Sequence, residues 1–215
     1  MSKPHNNRRR VENIRMLHWD YGWKGHYFIT VDTNGRIPYF GEIRDAQMHL
    51  TDIGEILEQE WLASPGLRPD MNIQLGEFVI MPNHFHGIIS IGRNRYNAFD
   101  DIDNDNLDVR THCNASPQQE ESTQQEESTQ QESSTQQAMT RQNKFGPQSK
   151  NLAAIIRGLK GSVTKQARQI NPDFAWQSRF HEHVIRNQKA YDNISEYIRN
   201  NPIEWWNKKA NRFNK

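Results

Sequence analysis

The chain has 215 residues, 27 basic and 26 acidic side chains and a formal net charge of +1. This length suggests one domain, alone or with an appendage, and the near-neutral charge taken alone argues against a nucleic-acid partner. The absence of any run of about 18 apolar residues excludes a transmembrane helix. The polar, basic stretch Met1–Arg10 excludes a secretory signal. Cys113 is the single cysteine, so neither an internal disulfide nor a Cys-based zinc cluster is expected, and a reducing cytoplasm is the expected location.

The charge is unevenly distributed along the chain. Residues 97–147 contain ten acids and three bases, a net charge of −7, so the remaining 164 residues carry +8. Within this segment Gln118–Gln137 is a six-residue repeat of Gln, Glu, Ser and Thr, with too little apolar surface to offset the entropy of ordering it. We therefore predict a disordered insertion over 97–148. A tolerated loop expansion is one interpretation, and a regulatory or DNA-mimicking tail is the other.

Patterns of apolar residues and turn signals predict five elements before the insertion. The aromatic and β-branched run Tyr27–Val31 indicates a strand. After the Asn34-Gly35 turn signal, residues 37–43 are a candidate partner strand, and Pro38 favours an edge position. Apolar residues at helical spacing then predict a helix over 45–63, ended by Pro65-Gly66, and two strands follow over 72–80 and 84–91.

Two helices and a strand are predicted after the insertion. Ser149 is the candidate N-cap of a helix whose apolar face ends before Asn171-Pro172. A turn and a strand occupy 174–185, and a last helix spans 188–200 before Asn201-Pro202. This order predicts an α+β fold, a ferredoxin-like antiparallel sheet with helices packed on it. The predicted domain comprises residues 18–96 and 149–207, flanked by a basic flexible arm over 1–17 and a tail over 208–215.

The sharpest local motif is His84-Phe85-His86. Residues i and i+2 of a strand project to the same face, so the two imidazoles are expected side by side, with Phe85 on the opposite face. Two neighbouring imidazoles suit a divalent metal. The pattern alone also fits two surface histidines on a strand.

Tyr197 and Asn201 lie four residues apart near the end of the last predicted helix, so they face the same way. Asn201 can offer a metal its side-chain oxygen, and a tyrosine beside a metal-held phosphate can act as a covalent nucleophile. The apolar neighbours of Tyr197 equally suit a core residue. Tyr191 is the rival tyrosine, with Ser195 as a poorer ligand one turn away.

A second HxH pattern occurs at His181-Glu182-His183. Because its middle residue is charged, neither strand face is cleanly apolar, and we interpret it as unrelated to the metal. His183 remains a candidate to line the site or contact phosphate.

These motifs together resemble a known family. MPNHFHGII, LKGSVTK, WQSRFHEHVIRN and YIRNNP follow one another as in the single-tyrosine HUH transposases, in particular the REP-associated tyrosine transposases. The resemblance covers about residues 20–96 and 149–203. It implies His84 and His86 as metal ligands, Tyr197 as the nucleophile, and Asn201 at the position of the third ligand. The insertion departs from the family pattern.

The resemblance implies cleavage and rejoining of single-stranded or hairpin DNA through a 5′-phosphotyrosine, with Mg²⁺ or Mn²⁺ held at the site. A cytoplasmic, nucleoid-associated protein of bacterial type is expected, and both monomer and homodimer remain open. Alternatives are a protein that binds DNA or RNA hairpins without catalysis, and a purely structural Zn²⁺ site. Basic residues and one histidine are predicted to contact nucleic acid: Arg157, Lys160, Lys165, Arg168, Arg179, His183 and Arg186.

Overall fold

The computed structural model describes residues 19–97 and 149–213, with side chains described as far as residue 208. The predicted N-terminal arm, almost all of the insertion with Cys113, and most of the C-terminal tail lie outside these residues. The predictions made for those segments therefore stay predictions.

Six strands and three helices make up the described fold. In chain order they are β1 Gly25–Asp32, β2 Gly41–Arg44, β3 Gln47–Leu50, α1 Asp52–Leu67, β4 Ile73–Met81, β5 His84–Ile91, α2 Leu152–Ile170, β6 His181–Ile185 and α3 Gln188–Phe213. Four strands form an antiparallel sheet in the order β4-β5-β1-β6, and β2 and β3 form a separate two-stranded ribbon. With α1 and α2 the sheet follows the ferredoxin-like β-α-β-β-α-β order, so the predicted α+β fold is confirmed.

The main core lies between one face of the sheet and helices α1 and α2. Alternate residues of β1 and β5 point into it, among them the fully buried Tyr27, Ile29 and Phe85. Gly87 of β5 also lies on this face, where an added Cβ would come within 2.9 Å of the Trp61 ring. The absence of a side chain at Gly87 therefore lets α1 pack closely against the centre of the sheet.

Helix α3 packs on the opposite face of the sheet, where Ile88, Ile185 and Ile198 form a smaller apolar cluster. The prediction that this helix ends at Asn200 is wrong, because it continues through Pro202 to Phe213. A proline removes one intrahelical hydrogen bond, here to the carbonyl of Ile198. Packing of Trp205 against His84, with ring centroids 5.7 Å apart, favours the helical continuation.

The region between β1 and α1 differs from the prediction in two respects. Residues 37–43 do not pair with β1, because the Phe40 amide donates to Pro82 O at 3.0 Å and β2 pairs with β3 instead. Helix α1 begins at Asp52 rather than near residue 45, because Thr51 caps it and accepts a hydrogen bond from the Gly54 amide at 3.3 Å. It continues through Pro65 to Leu67.

Helix α2 begins at the predicted place with a different cap. The side chain of Asn151, not that of Ser149, accepts the hydrogen bond from the Ala154 amide at 3.0 Å. None of the helices in the described ranges is long and apolar enough to span a membrane.

Candidate metal and tyrosine site

The two histidines of the first HxH motif lie side by side on the α3-facing side of β5. In the sheet register His84 is opposite Asp32 and His86 is opposite Thr30 of β1. The two imidazole ring centroids are 4.7 Å apart, and the residues are only 8% and 6% exposed. The alternation expected from the sequence therefore holds, and the pair is a buried cluster rather than a surface feature.

Hydrogen bonds orient both imidazoles. Nδ1 of His84 lies 2.8 Å from Oδ1 of Asn83, which can only accept, so Nδ1 carries the proton. Nδ1 of His86 lies 2.8 Å from the Thr30 hydroxyl, and Nε2 of His86 lies 3.4 Å from the Tyr197 hydroxyl. Nε2 of His84 therefore has a lone pair that can bind a metal, and Nε2 of His86 has one when Nδ1 carries the proton and Thr30 accepts it.

Burial favours the neutral form of both rings. It lowers the pKa of His84 to about 4, with Arg36 lowering it further and Asp32 opposing the shift. Burial also lowers the pKa of His86 to about 3, and the neighbouring His84 contributes. Near pH 7 both imidazoles are therefore uncharged, as a metal ligand must be.

Tyr197 extends from α3 over this pair. Its ring centroid lies 5.4 Å from that of His86 and 6.2 Å from that of Phe28, and the residue is 43% exposed. Tyr191 instead packs edge-on against His26, with ring centroids 5.3 Å apart. It lines a separate cleft of about 650 Å³ between β4 and α3. Of the two candidate tyrosines, the fold brings Tyr197 to the histidines.

Asn201 lies between two residues of α3 that contact the histidines. Tyr197 precedes it by four residues and Trp205 follows it by four, so all three share one helix face. Because Tyr197 packs on His86 and Trp205 on His84, this face is directed at the pair. Asn201 is 8% exposed. Its amide can therefore supply an oxygen donor from the helix side.

The residues present fit a divalent cation. In the described ranges no group of three or more His, Cys, Asp or Glu side chains could hold a metal, so a third protein ligand would come from another residue type. Asn201 is the candidate for this ligand, because it lies on the helix face directed at the histidines. Imidazoles suit transition-metal ions such as Zn²⁺, and an amide oxygen suits Mg²⁺ or Mn²⁺, so the set is compatible with several divalent ions. The second-sphere contacts of Asn83 and Thr30 are typical of metal-binding histidines.

Three of the residues predicted to contact nucleic acid, Arg157, Lys165 and Arg168, are exposed on the solvent side of α2. Lys160 lies at the border of its apolar face, where its Nζ donates to the Gln177 carbonyl at 2.6 Å. Lys160, Lys165 and Arg168 line a cleft of about 540 Å³ together with Trp176, and the exposed Arg157 continues the row one turn earlier. Lys160 is half-buried, and this burial lowers its pKa. Trp176 packs on Phe40 with ring centroids 5.3 Å apart, so it is chiefly a core residue.

The other predicted contacts surround β6. Arg179 precedes this strand, Arg186 follows it, and both are exposed, as is His183 within it. Sequence reasoning missed Thr30, Asn83 and Trp205, which contact the histidines. The role of Asn83 could have been predicted from the sequence, because this amide side chain directly precedes His84. That of Thr30 could not, because only the strand order places it beside His86.

Comparison with known proteins gives one family relationship. No protein-family model matches the chain. A protein of Haemophilus influenzae described as uncharacterized is 34% identical over 194 residues, which span 90% of this chain and 88% of that protein. At this identity and coverage, the chain belongs to the same family as the H. influenzae protein.

Two solved structures match the chain at low similarity. A REP-associated tyrosine transposase bound to a REP hairpin has a TM-score of 0.46 and 18% identity, over 89% of this chain and 74% of that one. A candidate transposase of Deinococcus radiodurans has a TM-score of 0.37 and 11% identity, over 86% of this chain and 95% of that one. At this level neither structure informs the activity of the present protein.

Proposed function

We propose that this protein is a metal-dependent endonuclease and strand transferase acting on single-stranded or hairpin DNA, with Tyr197 as nucleophile. The observation that carries the proposal is the position of the Tyr197 hydroxyl, 3.4 Å from Nε2 of His86. A partly exposed phenol beside two buried, neutral imidazoles is a poor core arrangement. It is a good arrangement for attack on a phosphate held at the imidazoles.

The proposed reaction exchanges one phosphate ester bond for another. Oη of Tyr197 bonds to the scissile phosphorus and the P–O3′ bond breaks, leaving a 5′-phosphotyrosine and a 3′ hydroxyl. The phenol proton passes to water, since Tyr197 is open to solvent, and the departing O3′ takes a proton from water. Attack by a 3′ hydroxyl on the phosphotyrosine rejoins strands and releases the tyrosine.

His84, His86 and Asn201 are the residues that would hold the divalent ion. When bound, Mg²⁺ or Mn²⁺ supplies Lewis-acid polarisation of the scissile phosphate. Asn83 and Thr30 contact Nδ1 of His84 and of His86, so Nε2 is the nitrogen that each ring would offer to the ion, and Trp205 packs against the His84 ring.

The charge of the protein supports a nucleic-acid partner. Residues outside 97–147 carry a net charge of +8. On the solvent side of α2, Lys165 and Arg168 lie in one cleft with Lys160. Such a row can bind successive phosphates and makes the affinity salt-dependent.

The test is formation of a covalent adduct with a labelled DNA hairpin carrying a single-stranded flank, in the presence of Mn²⁺. We expect wild type to give a denaturation-resistant band. Tyr197→Phe should abolish it, whereas Tyr191→Phe should retain it. An adduct with Tyr197→Phe would disprove the assignment of the nucleophile. If wild type binds the hairpin but forms no adduct, the protein is better described as a non-catalytic hairpin-binding protein. Binding of an RNA hairpin of the same sequence then shows whether it prefers DNA or RNA.

Asn200, the residue before Asn201, provides a matched control for the proposed third ligand. Asn201→Ala should weaken Mn²⁺ binding and slow adduct formation by at least the roughly tenfold that loss of an outer-sphere partner costs. Asn200→Ala, on the exposed side of the same helix turn, should behave as wild type. Equal effects of the two substitutions would exclude Asn201 as a ligand.

A further inference from the structure

The second HxH motif lies on the same face of the sheet as the first. In the register of β1 and β6, His183 is opposite Phe28 and His181 is opposite Thr30. Directly opposed residues of antiparallel strands project to one face. Phe28 stacks on His86 with ring centroids 5.4 Å apart, and the Thr30 hydroxyl contacts His86. His181 and His183 therefore stand one strand beyond the candidate site.

Helix α3 leaves this part of the face open. It covers the end of β6, where Ile185 is 4% exposed and packs with Ile198. Towards the start of the strand both histidines are exposed. Tyr197 lies at the same border of the helix, above Phe28. The open surface thus runs from Tyr197 across Phe28 to the edge strand.

The dimensions of this surface suit a nucleic-acid strand. Two strand spacings separate β5 from β6, or about 10 Å from His86 to His181. One or two nucleotide steps of an extended strand cover this distance. The floor is apolar at the half-buried Phe28, and the imidazoles of β6 can donate N–H groups to phosphate oxygens whether neutral or charged. Glu182 projects to the other face, so it brings no negative charge to this surface.

We infer that His181 and His183 bind the phosphates directly next to the scissile phosphate, so that the DNA strand crosses the sheet from β5 to β6. The inference rests on the proposed function. It makes both histidines positioning residues: they hold the flanking strand while Tyr197 reacts.

The test combines histidine substitutions with single neutral methylphosphonates placed at successive positions around the cleavage site. Binding is measured in the Tyr197→Phe background, so that cleavage does not interfere. His181→Ala and His183→Ala should each weaken binding of the unmodified strand about tenfold, the size of one hydrogen bond to a charged group. In the protein that keeps both histidines, a methylphosphonate at one flanking position should weaken binding by a similar factor. Once the corresponding histidine is replaced by Ala, the same methylphosphonate should cause no further loss.

Two controls separate this role from a structural one. Gln retains an N–H donor, so His183→Gln should recover part of the affinity lost in His183→Ala. His49→Ala, at an exposed histidine of the β2–β3 ribbon, should change neither affinity nor the methylphosphonate pattern. Melting temperatures should be unchanged throughout, since all three histidines are exposed.

The outcomes separate failure of this inference from failure of the proposed function. If wild type forms the adduct but His181→Ala and His183→Ala bind as well as the parent, the inference is wrong and the proposed function stands. Additive losses at every methylphosphonate position would also overturn it. If wild type neither binds nor forms an adduct, both fail.

Discussion

Thr30 connects two strands through a single side chain. Its hydroxyl lies 2.8 Å from Nδ1 of His86, and its neighbour across the sheet on the other side is His181. A contact of this kind fixes the orientation of an imidazole and the nitrogen that it offers to a metal. Thr30 should therefore influence metal affinity without touching the ion.

Thr30→Val removes this contact at nearly constant volume. We expect Mn²⁺ to bind about tenfold more weakly, the lower end of the range for second-sphere substitutions. Isothermal titration calorimetry measures the affinity directly. Thr164→Val is the matched control, because the Thr164 hydroxyl donates only to the Lys160 carbonyl within α2, at 2.6 Å. Equal Mn²⁺ affinities of Thr30→Val and wild type would contradict the prediction.

At the level of single residues, the sequence predicts what depends on local alternation. The common face of His84 and His86 follows from strand parity, and that of Tyr197 and Asn201 from helix periodicity. Thr30 and His181 could not be predicted in this way, because their relation to the site depends on which strands are neighbours and in what register. Strand order is a property of the whole sheet.

At the level of elements, β4 contains a shift in its pairing register that its sequence does not predict. The register with β5 shifts between Leu75 and Phe78, so Gly76 and Glu77 have no regular partners. Tyr191 of α3 fills the space above: a Cβ on Gly76 would lie 2.5 Å from its hydroxyl oxygen and 3.0 Å from Cβ of Ile88. The glycine thus lets the first turns of α3 approach the sheet.

Gly76→Ala should therefore lower the free energy of unfolding by about 1–3 kcal/mol, as overpacking does. Gly161→Ala should instead raise it by about 0.5–1 kcal/mol, because alanine stabilises a helix interior and a Cβ at Gly161 meets nothing within 4 Å. Urea unfolding curves measure both changes. Adding Tyr191→Phe should relieve part of the Gly76→Ala defect, and failure to do so would place the strain elsewhere.

Element boundaries were predictable where the signal is local. The strands around residues 72–91 and the end of α2 at Asn171 agree with the sequence patterns. The predicted helix over 45–63 begins too early because Leu50 fits its apolar spacing while it belongs to a strand paired with β2. The continuation of α3 past Pro202 depends on Trp205 meeting His84, a tertiary contact that outweighs the local proline signal.

At the level of the whole molecule, the two described ends of the insertion lie together. The side-chain amide of Asn97 donates to the Gly22 carbonyl at 3.2 Å, and an added Cβ on Gly22 would come within 3.1 Å of the Lys150 carbonyl. Asp70 contacts both ends: Tyr96 donates to it at 2.6 Å and Lys150 at 2.5 Å. The chain therefore leaves and re-enters the fold at one place.

Replacing residues 98–148 by a short Gly-Ser linker should leave the melting temperature nearly unchanged. It raises the net charge of the chain from +1 to +8. Hairpin DNA should then bind more tightly at low salt, and the gain should shrink as salt screens the charges. Filter binding over a salt series measures this effect.

The matched control keeps the length of the insertion and replaces its ten acids by Asn and Gln. If the insertion weakens binding through its charge, this variant should reproduce the gain of the deletion. Unchanged or weaker binding by both variants would show that the negative charge of the insertion does not reduce the affinity for DNA.

The register shift in β4 has a consequence for self-association. An outer strand normally offers a row of free backbone amides and carbonyls on which a strand of another chain can add, the first step of many aggregates. In β4 that row is interrupted at Gly76 and Glu77, and at the other border β6 offers only five residues. Both borders therefore resist strand addition. Among the described residues, helix surfaces and the β2–β3 ribbon are therefore better suited to contact between two copies than a continuous intermolecular sheet.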